Sequence, residues 1–323
     1  MIADLTLDHL LAARARIVDA VHRTPLLPSR TLSDRIGAPV WLKCENLQKT
    51  GAFKVRGALN RLLTLSPEEQ ARGVSTISAG NHAQAVAWAA SAAGVSSTVV
   101  MMEHASPTKV RASRDYGAEV ILHGDAAAAF AKVHEVSLER GLTFVHPFDD
   151  PEVVAGHASC GLEILEDLPD VGTVVVPVGG GGLSSSIAIA MARSQAKVDV
   201  WGVEPTGAAA MHQSFEAEQA LRLDRVDTVA DGLGAPMAGA LNYQILSEHA
   251  RGIVLVEDRE IICAMMILLE RTKLLAEPAG AAGLAALLEG KIEFDRTRPV
   301  VVVVSGGNAD LAQLARLIQG EQR

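Results

Sequence analysis

Residues 174–193 read VVVPVGGGGLSSSIAIAMAR: an unbroken apolar run, four glycines at 179–182, then a segment with helical composition. A strand that is apolar at every position, rather than every second one, is covered on both faces. That pattern belongs to parallel sheets sandwiched between helices. The run 300–304, VVVVV, has the same character, and further strand candidates fall at 40–42, 74–77, 98–101, 120–122, 143–145, 198–203 and 253–256. Helix-like segments separate most of them. In one, Ser106 is placed to cap, Pro107 takes the first helical position and Gly117 ends the helix. The alternation predicts an α/β protein.

The chain has 323 residues, 49% of them hydrophobic, enough for a substantial core without disulfides or a structural metal. Its net charge is −9 and aromatics are only 3%, so neither the basic patch nor the stacking platforms of a nucleic-acid binder are present. The three cysteines, Cys44, Cys160 and Cys263, are far apart and form no metal or disulfide pattern. Residues 1–22 read as an amphipathic helix with Leu7, Leu10, Leu11, Ile17, Val18 and Val21 on one stripe, not as a leader peptide. With no apolar run near the ~18 residues of a membrane span, a cytoplasmic protein is expected.

No repeat or low-complexity linker divides the chain. Residues 73–148 form a compact strand–helix series, and His146-Pro147-Phe148-Asp149-Asp150-Pro151 is a crossing point broken by two prolines. The expectation is a small domain over 73–148 and a larger one built from 1–72 and 149–323.

Four blocks carry chemistry. In Gly179, Gly180, Gly181, Gly182 and Leu183 the glycines let backbone N–H groups approach an anion at a helix N-terminus. No Lys-Ser/Thr follows, and position 184 is serine, so neither a P-loop nor G-x-G-x-x-G is matched; a mononucleotide, a dinucleotide and pyridoxal phosphate all remain open. Lys54 follows a glycine-containing turn beside Phe53, where the helix dipole does not favour its charge; a solvated lysine and a Schiff-base nucleophile both fit. Ser78-Ala79-Gly80-Asn81-His82 links a strand to a helix, so its N–H groups suit a carboxylate, or Ser78 or Asn81 merely caps. Ser305-Gly306-Gly307-Asn308 is a similar turn, with Asn308 available as a cap.

In this order the four blocks, with His22-Arg23-Thr24-Pro25-Leu26, Ala230-Asp231-Gly232 and Ala276-Glu277-Pro278, resemble the fold-type II pyridoxal-phosphate enzymes, which share the tryptophan synthase β-like fold. The likeness is strongest to the serine/threonine dehydratase and serine racemase branch and covers nearly the whole chain. It implies that Lys54 holds the cofactor covalently and later acts as base at Cα. It implies Phe53 packed near the cofactor, Asn81 on its phenolic oxygen, Gly179 to Leu183 on its phosphate, and Ser305 facing the pyridine nitrogen. Gly232 and Glu277 line the cofactor site, while Ser78, Ala79, Gly80, Asn81 and His82 hold the substrate carboxylate. A serine hydroxyl, unlike an aspartate, does not enforce a protonated ring, which favours β-elimination over a long-lived carbanion.

Departures from the branch sharpen the expectation. Racemase-type relatives have a serine where this chain has Ala79, and racemisation needs acid–base groups on both faces of the cofactor. Glu204 matches one carboxylate of the relatives' divalent-cation site, but Ala210 stands where the second is expected. Ala155-Gly156-His157-Ala158-Ser159 replaces the usual Gly-Gln-Gly-Thr, so His157 is either a substrate contact or structural, and bulkier or acidic β-hydroxy amino acids stay open. The expected activity is dehydration and deamination of a β-hydroxy α-amino acid by a homodimer, with small amino acids as its only partners. A racemase, a β-replacement enzyme and a non-catalytic binding module are the alternatives. The sequence stops soon after Asn308, so isoleucine feedback through a C-terminal regulatory domain is not expected.

Overall fold

A computed structural model describes residues 2–319. Among the described residues ten strands form two sheets. They are β1 (Leu26–Pro28), β2 (Val40–Cys44), β3 (Val74–Ile77), β4 (Ser97–Met101), β5 (Glu119–Leu122), β6 (Thr143–Phe144), β7 (Thr173–Pro177), β8 (Asp199–Pro205), β9 (Gly252–Val256) and β10 (Val300–Val304). The larger sheet has the order β1-β2-β10-β7-β8-β9, with only β1 antiparallel to its neighbour. The smaller, β5-β4-β3-β6, is wholly parallel.

Both faces of the larger sheet are buried, as its continuous valine runs require. Val174, Val176, Val301 and Val303 pack with the helices Pro151–Asp167 and Gly182–Arg193 on one side. Val175, Val300, Val302 and Val304 pack with Asp258–Ile267 and Pro278–Leu288 on the other. Each valine removed from water contributes about 1.5–3 kcal/mol.

Three local expectations are corrected. The first helix is Leu7–Ile17 and buries Leu10, Ala13 and Ile17, while Leu11 (37% exposed) and Val18 (57%) face outward. The buried stripe follows the i, i+3, i+7 spacing, and an alanine fits it better than the bulkier Leu11 one step round. Ser106 makes no side-chain capping bond to the helix Pro107–Asp115. The last helix, Leu311–Gln319, is capped by Asp310, whose carboxylate accepts from the N–H groups of Ala312 and Gln313, not by Asn308.

Candidate active site

The glycine loop leaves the end of β7 and enters the helix Gly182–Arg193. No described group accepts from the N–H groups of residues 179–184. Six successive amides at a helix N-terminus are therefore free to bind an anion. The glycines are needed for close packing as well. A Cβ at Gly180 would stand 2.5 Å from the Phe148 ring, and Gly181 has φ +95° with Asn242 crowding it at 2.8 Å. Asn242 Nδ2 holds the loop from behind, donating to Gly180 O at 2.9 Å and Phe148 O at 3.0 Å.

Lys54 opens the helix Lys54–Leu63. The turn before it carries positive φ at Thr50 (55°) and Gly51 (73°) and is bound to the loop after β10. Phe53 N–H donates to Ser305 O at 3.1 Å, Gly307 N–H donates to Gly51 O at 2.9 Å, and Ala52 bridges Gly306. Blocks some 250 residues apart in sequence thus become one backbone assembly. Lys54 Nζ lies 5.0 Å from the centre of the Phe53 ring and donates to Pro147 O at 2.8 Å. Exclusion of water brings its pKa down to about 8, so a minor but appreciable part of the amine is neutral near physiological pH, far more than for an ordinary lysine.

The block at 78–82 joins β3 to the helix Asn81–Ala93. Ser78 Oγ accepts from Gly80 N–H at 3.0 Å, which takes that amide out of the anion-binding set, while the N–H groups of Ala79, Asn81 and His82 meet no described acceptor. Asn81 Nδ2 donates to Glu277 Oε1 at 2.6 Å. Glu277 is buried, and loss of water together with the negative charge of Asp231 pushes its pKa up to about 7. Gly232 approaches this corner closely: a Cβ there would lie 2.9 Å from that of Ala279 and 3.7 Å from Glu277 Oε1. Lys109, from the helix Pro107–Asp115, reaches Asp231 at 2.5 Å.

Ser305 is buried at the end of β10, and its hydroxyl meets no described partner. His157 is wholly buried. Its Nδ1 accepts from Gly57 N–H at 3.0 Å and its ring packs edge-on to Phe53 at 4.7 Å. Burial and the Lys54 charge hold both His157 and His82 well below the usual histidine range. Glu204 lies apart, at the end of β8. Its two oxygens accept from Met211 N–H at 2.9 Å and His212 N–H at 2.7 Å, and burial pushes its pKa up to about 8. Among the described residues no group of three His, Cys, Asp or Glu is placed to hold a metal ion.

Four residues at this site escaped the sequence reading: Pro147, Phe148, Asn242 and Asn308. The first two sit in the proline-flanked crossing segment, a visible signal of irregular backbone. Asn242 carries no local signal, and Asn308 was legible only as a cap.

The model of the pyridoxal-phosphate dependent enzyme family matches residues 17–306. The chain belongs to that family. As a pyridoxal-phosphate enzyme it is similar to the L-threonine ammonia-lyase of Geobacter sulfurreducens, 46% identical over 305 residues that cover 94% of this chain and 76% of the relative. Among solved structures it is similar to a threonine deaminase from T.th. (TM-score 0.89, 41% identity, 94% of this chain and 99% of that one). It is also similar to maize serine racemase (TM-score 0.92, 34% identity, 98% and 97%). The residues of this pyridoxal-phosphate enzyme fit its cofactor: free amides to take a phosphate, and a partly neutral lysine amine to take an aldehyde.

Proposed function

We propose that the chain is an ammonia-lyase that converts a β-hydroxy α-amino acid, of the L-threonine or L-serine type, to a 2-oxo acid and ammonia. The reading rests on one basic amine, Lys54, and on Ala79 at the position where the resemblance to racemase-type enzymes expects a serine base. A single base removes a proton and lets a β-substituent leave, whereas inversion needs a partner on the other face. The names of the relatives agree with elimination. The likeness to serine racemase supports a shared fold and cofactor, and Ala79 counts against its reaction.

In this reading Gly179, Gly180, Gly181, Gly182 and Leu183 bind the phosphate through their N–H groups, and Phe53 packs beside the ring. Asn81 donates to the phenolic oxygen, Ser305 meets the ring nitrogen with a hydroxyl, and Gly232 and Glu277 close the rim. When bound, pyridoxal phosphate supplies the electron sink that makes the Cα proton removable. The N–H groups of Ala79, Asn81 and His82, with the Ser78 segment, orient the substrate carboxylate. Lys54 Nζ takes the proton from Cα and returns it to the β-hydroxyl, which leaves as water and frees the amine; hydrolysis of the resulting enamine by a water molecule gives the 2-oxo acid and ammonia. His157 supports Phe53 from within the protein.

We also propose that 73–148 is a separate small domain, a division supported by the four strands of the smaller sheet lying between Val74 and Phe144. A cytoplasmic homodimer completes the proposal; no described helix is long and apolar enough to cross a membrane.

The test is 2-oxo acid release from both enantiomers of serine, threonine, 3-hydroxyaspartate and phenylserine, with chiral analysis of the residual substrate. Release from L-threonine or L-serine with no enantiomer formed is the expected result. Release from only a bulky or acidic member moves the substrate class, and racemisation without release overturns the reading.

A further inference from the structure

Asn308 lies outside every role assigned above, yet it joins two of the blocks that make the site. Its Nδ2 is 2.7 Å from Thr50 O and 2.8 Å from Asn81 Oδ1. A backbone carbonyl only accepts, so the Asn308 atom facing Thr50 is the amide nitrogen. The same nitrogen faces Asn81, so Asn81 must present its oxygen there and its NH2 group on the opposite side. One hydrogen of that NH2 goes to Glu277 Oε1 at 2.6 Å, and the other is uncommitted. The turn is shaped for this contact: Gly51 has φ +73°, and a Cβ on it would stand 2.4 Å from Asn308 Oδ1.

We propose that Asn308 is a positioning residue. By donating at once to Thr50 O and Asn81 Oδ1, it fixes the Asn81 amide with its free N–H available to the cofactor's phenolic oxygen. It also ties the turn that carries Lys54 to the first turn of the helix Asn81–Ala93. The inference rests on the cofactor role proposed for Asn81 and not on the choice of substrate.

Asn308→Asp tests it. A carboxylate cannot donate to Thr50 O, and it attracts the Asn81 NH2, which turns the amide round and sets Asn81 Oδ1 against Glu277. The readouts are the cofactor dissociation constant, the pH titration of the bound cofactor's visible absorbance, and the melting temperature of the cofactor-free protein. The expected result is weaker cofactor binding and a titration midpoint raised by about one to two pH units. The expected fall in kcat is roughly 10- to 100-fold with KM little changed, the size of one lost hydrogen bond to a charged oxygen. In an Asn81→Ala background, Asn308→Asp should shift the titration no further. Asn308→Ala removes both bonds without adding charge and must shift the midpoint in the same direction; it decides the matter where the aspartate variant does not fold. A lower melting temperature with an unmoved titration, or an equal shift without the Asn81 side chain, overturns the proposal. The titration needs no substrate, so an error in the substrate class leaves it readable.

Discussion

Lys54 Nζ donates to the carbonyl oxygen of Pro147 at 2.8 Å, and this bond sets the amine against the segment where the chain crosses back from the smaller sheet. Among the described residues no carboxylate is hydrogen-bonded to it. The charged form therefore loses water without gaining a counter-ion, and its pKa falls to about 8. In the cofactor-free protein, the rate of reductive methylation at Lys54 should rise with a midpoint near pH 8, measured by mass spectrometry. A midpoint near the ordinary 10.5 would remove the basis for treating this amine as poised. Lys54→Ala should lower turnover by at least roughly 10²–10⁴-fold.

Glu277 shifts in the opposite sense. Its carboxyl, ordinarily near 4.5, is raised to about 7 by burial and by Asp231, with Asn81 and Lys109 pulling the other way. The native state then binds a proton that the unfolded chain has already lost, so stability declines as pH rises from 4.5 to 7 and the penalty is complete above 7. Glu277→Gln abolishes that slope. The melting-temperature difference between variant and wild type, both cofactor-free, should grow in the variant's favour across this window. A difference independent of pH would contradict the assignment.

The Phe148 ring leaves no room for a methyl group at Gly180. Gly180→Ala should cost about 1–3 kcal/mol by overpacking and weaken cofactor binding. Phe148→Ala in the same chain should recover part of the lost stability, because the clash is with that ring. Additive losses in a double-mutant cycle would show that the two positions do not touch.

Arg56, two residues beyond Lys54, is fully buried between Glu45 and Glu163, and Lys43 pairs with Glu163 at 2.6 Å. Arg56→Met strips both carboxylates of their shared partner and should destabilise the protein by about 3–5 kcal/mol. Denaturant unfolding measures it, and a loss below about 1 kcal/mol would mean that water or repacking compensates.

Nine of the ten strands were legible in the sequence because valine and isoleucine runs between turn signals need no tertiary context. The exception, β1, is three residues long, ends in Pro28 and occupies an edge, where the pattern is too short to register. The glycine loop, Lys54 and the 78–82 block could be singled out because each is a strand-to-helix junction with unusual local composition. Asn242 and Asn308 could not. Their importance lies in contacts to Gly180, Phe148, Thr50 and Asn81, residues brought close only by the folded sheets. Ala79 was informative for what it lacks, a reading available only against a family pattern.

The strand β10 stands between β2 and β7, pairing Val300 with Val40 on one side and with Thr173 on the other. Until it arrives, the larger sheet is two fragments with apolar edges and a gap between them. On the ribosome, the smaller sheet is already synthesised while that gap waits for residues 300–304. The loop bearing Ser305 and Asn308 emerges directly behind them, so joining the two fragments and bringing that loop to the candidate site fall together at the end of synthesis. A nascent chain that lacks β10 lacks Ser305 and Asn308 as well, and with its two sheet fragments unjoined it exposes apolar strand edges of the kind that invite aggregation.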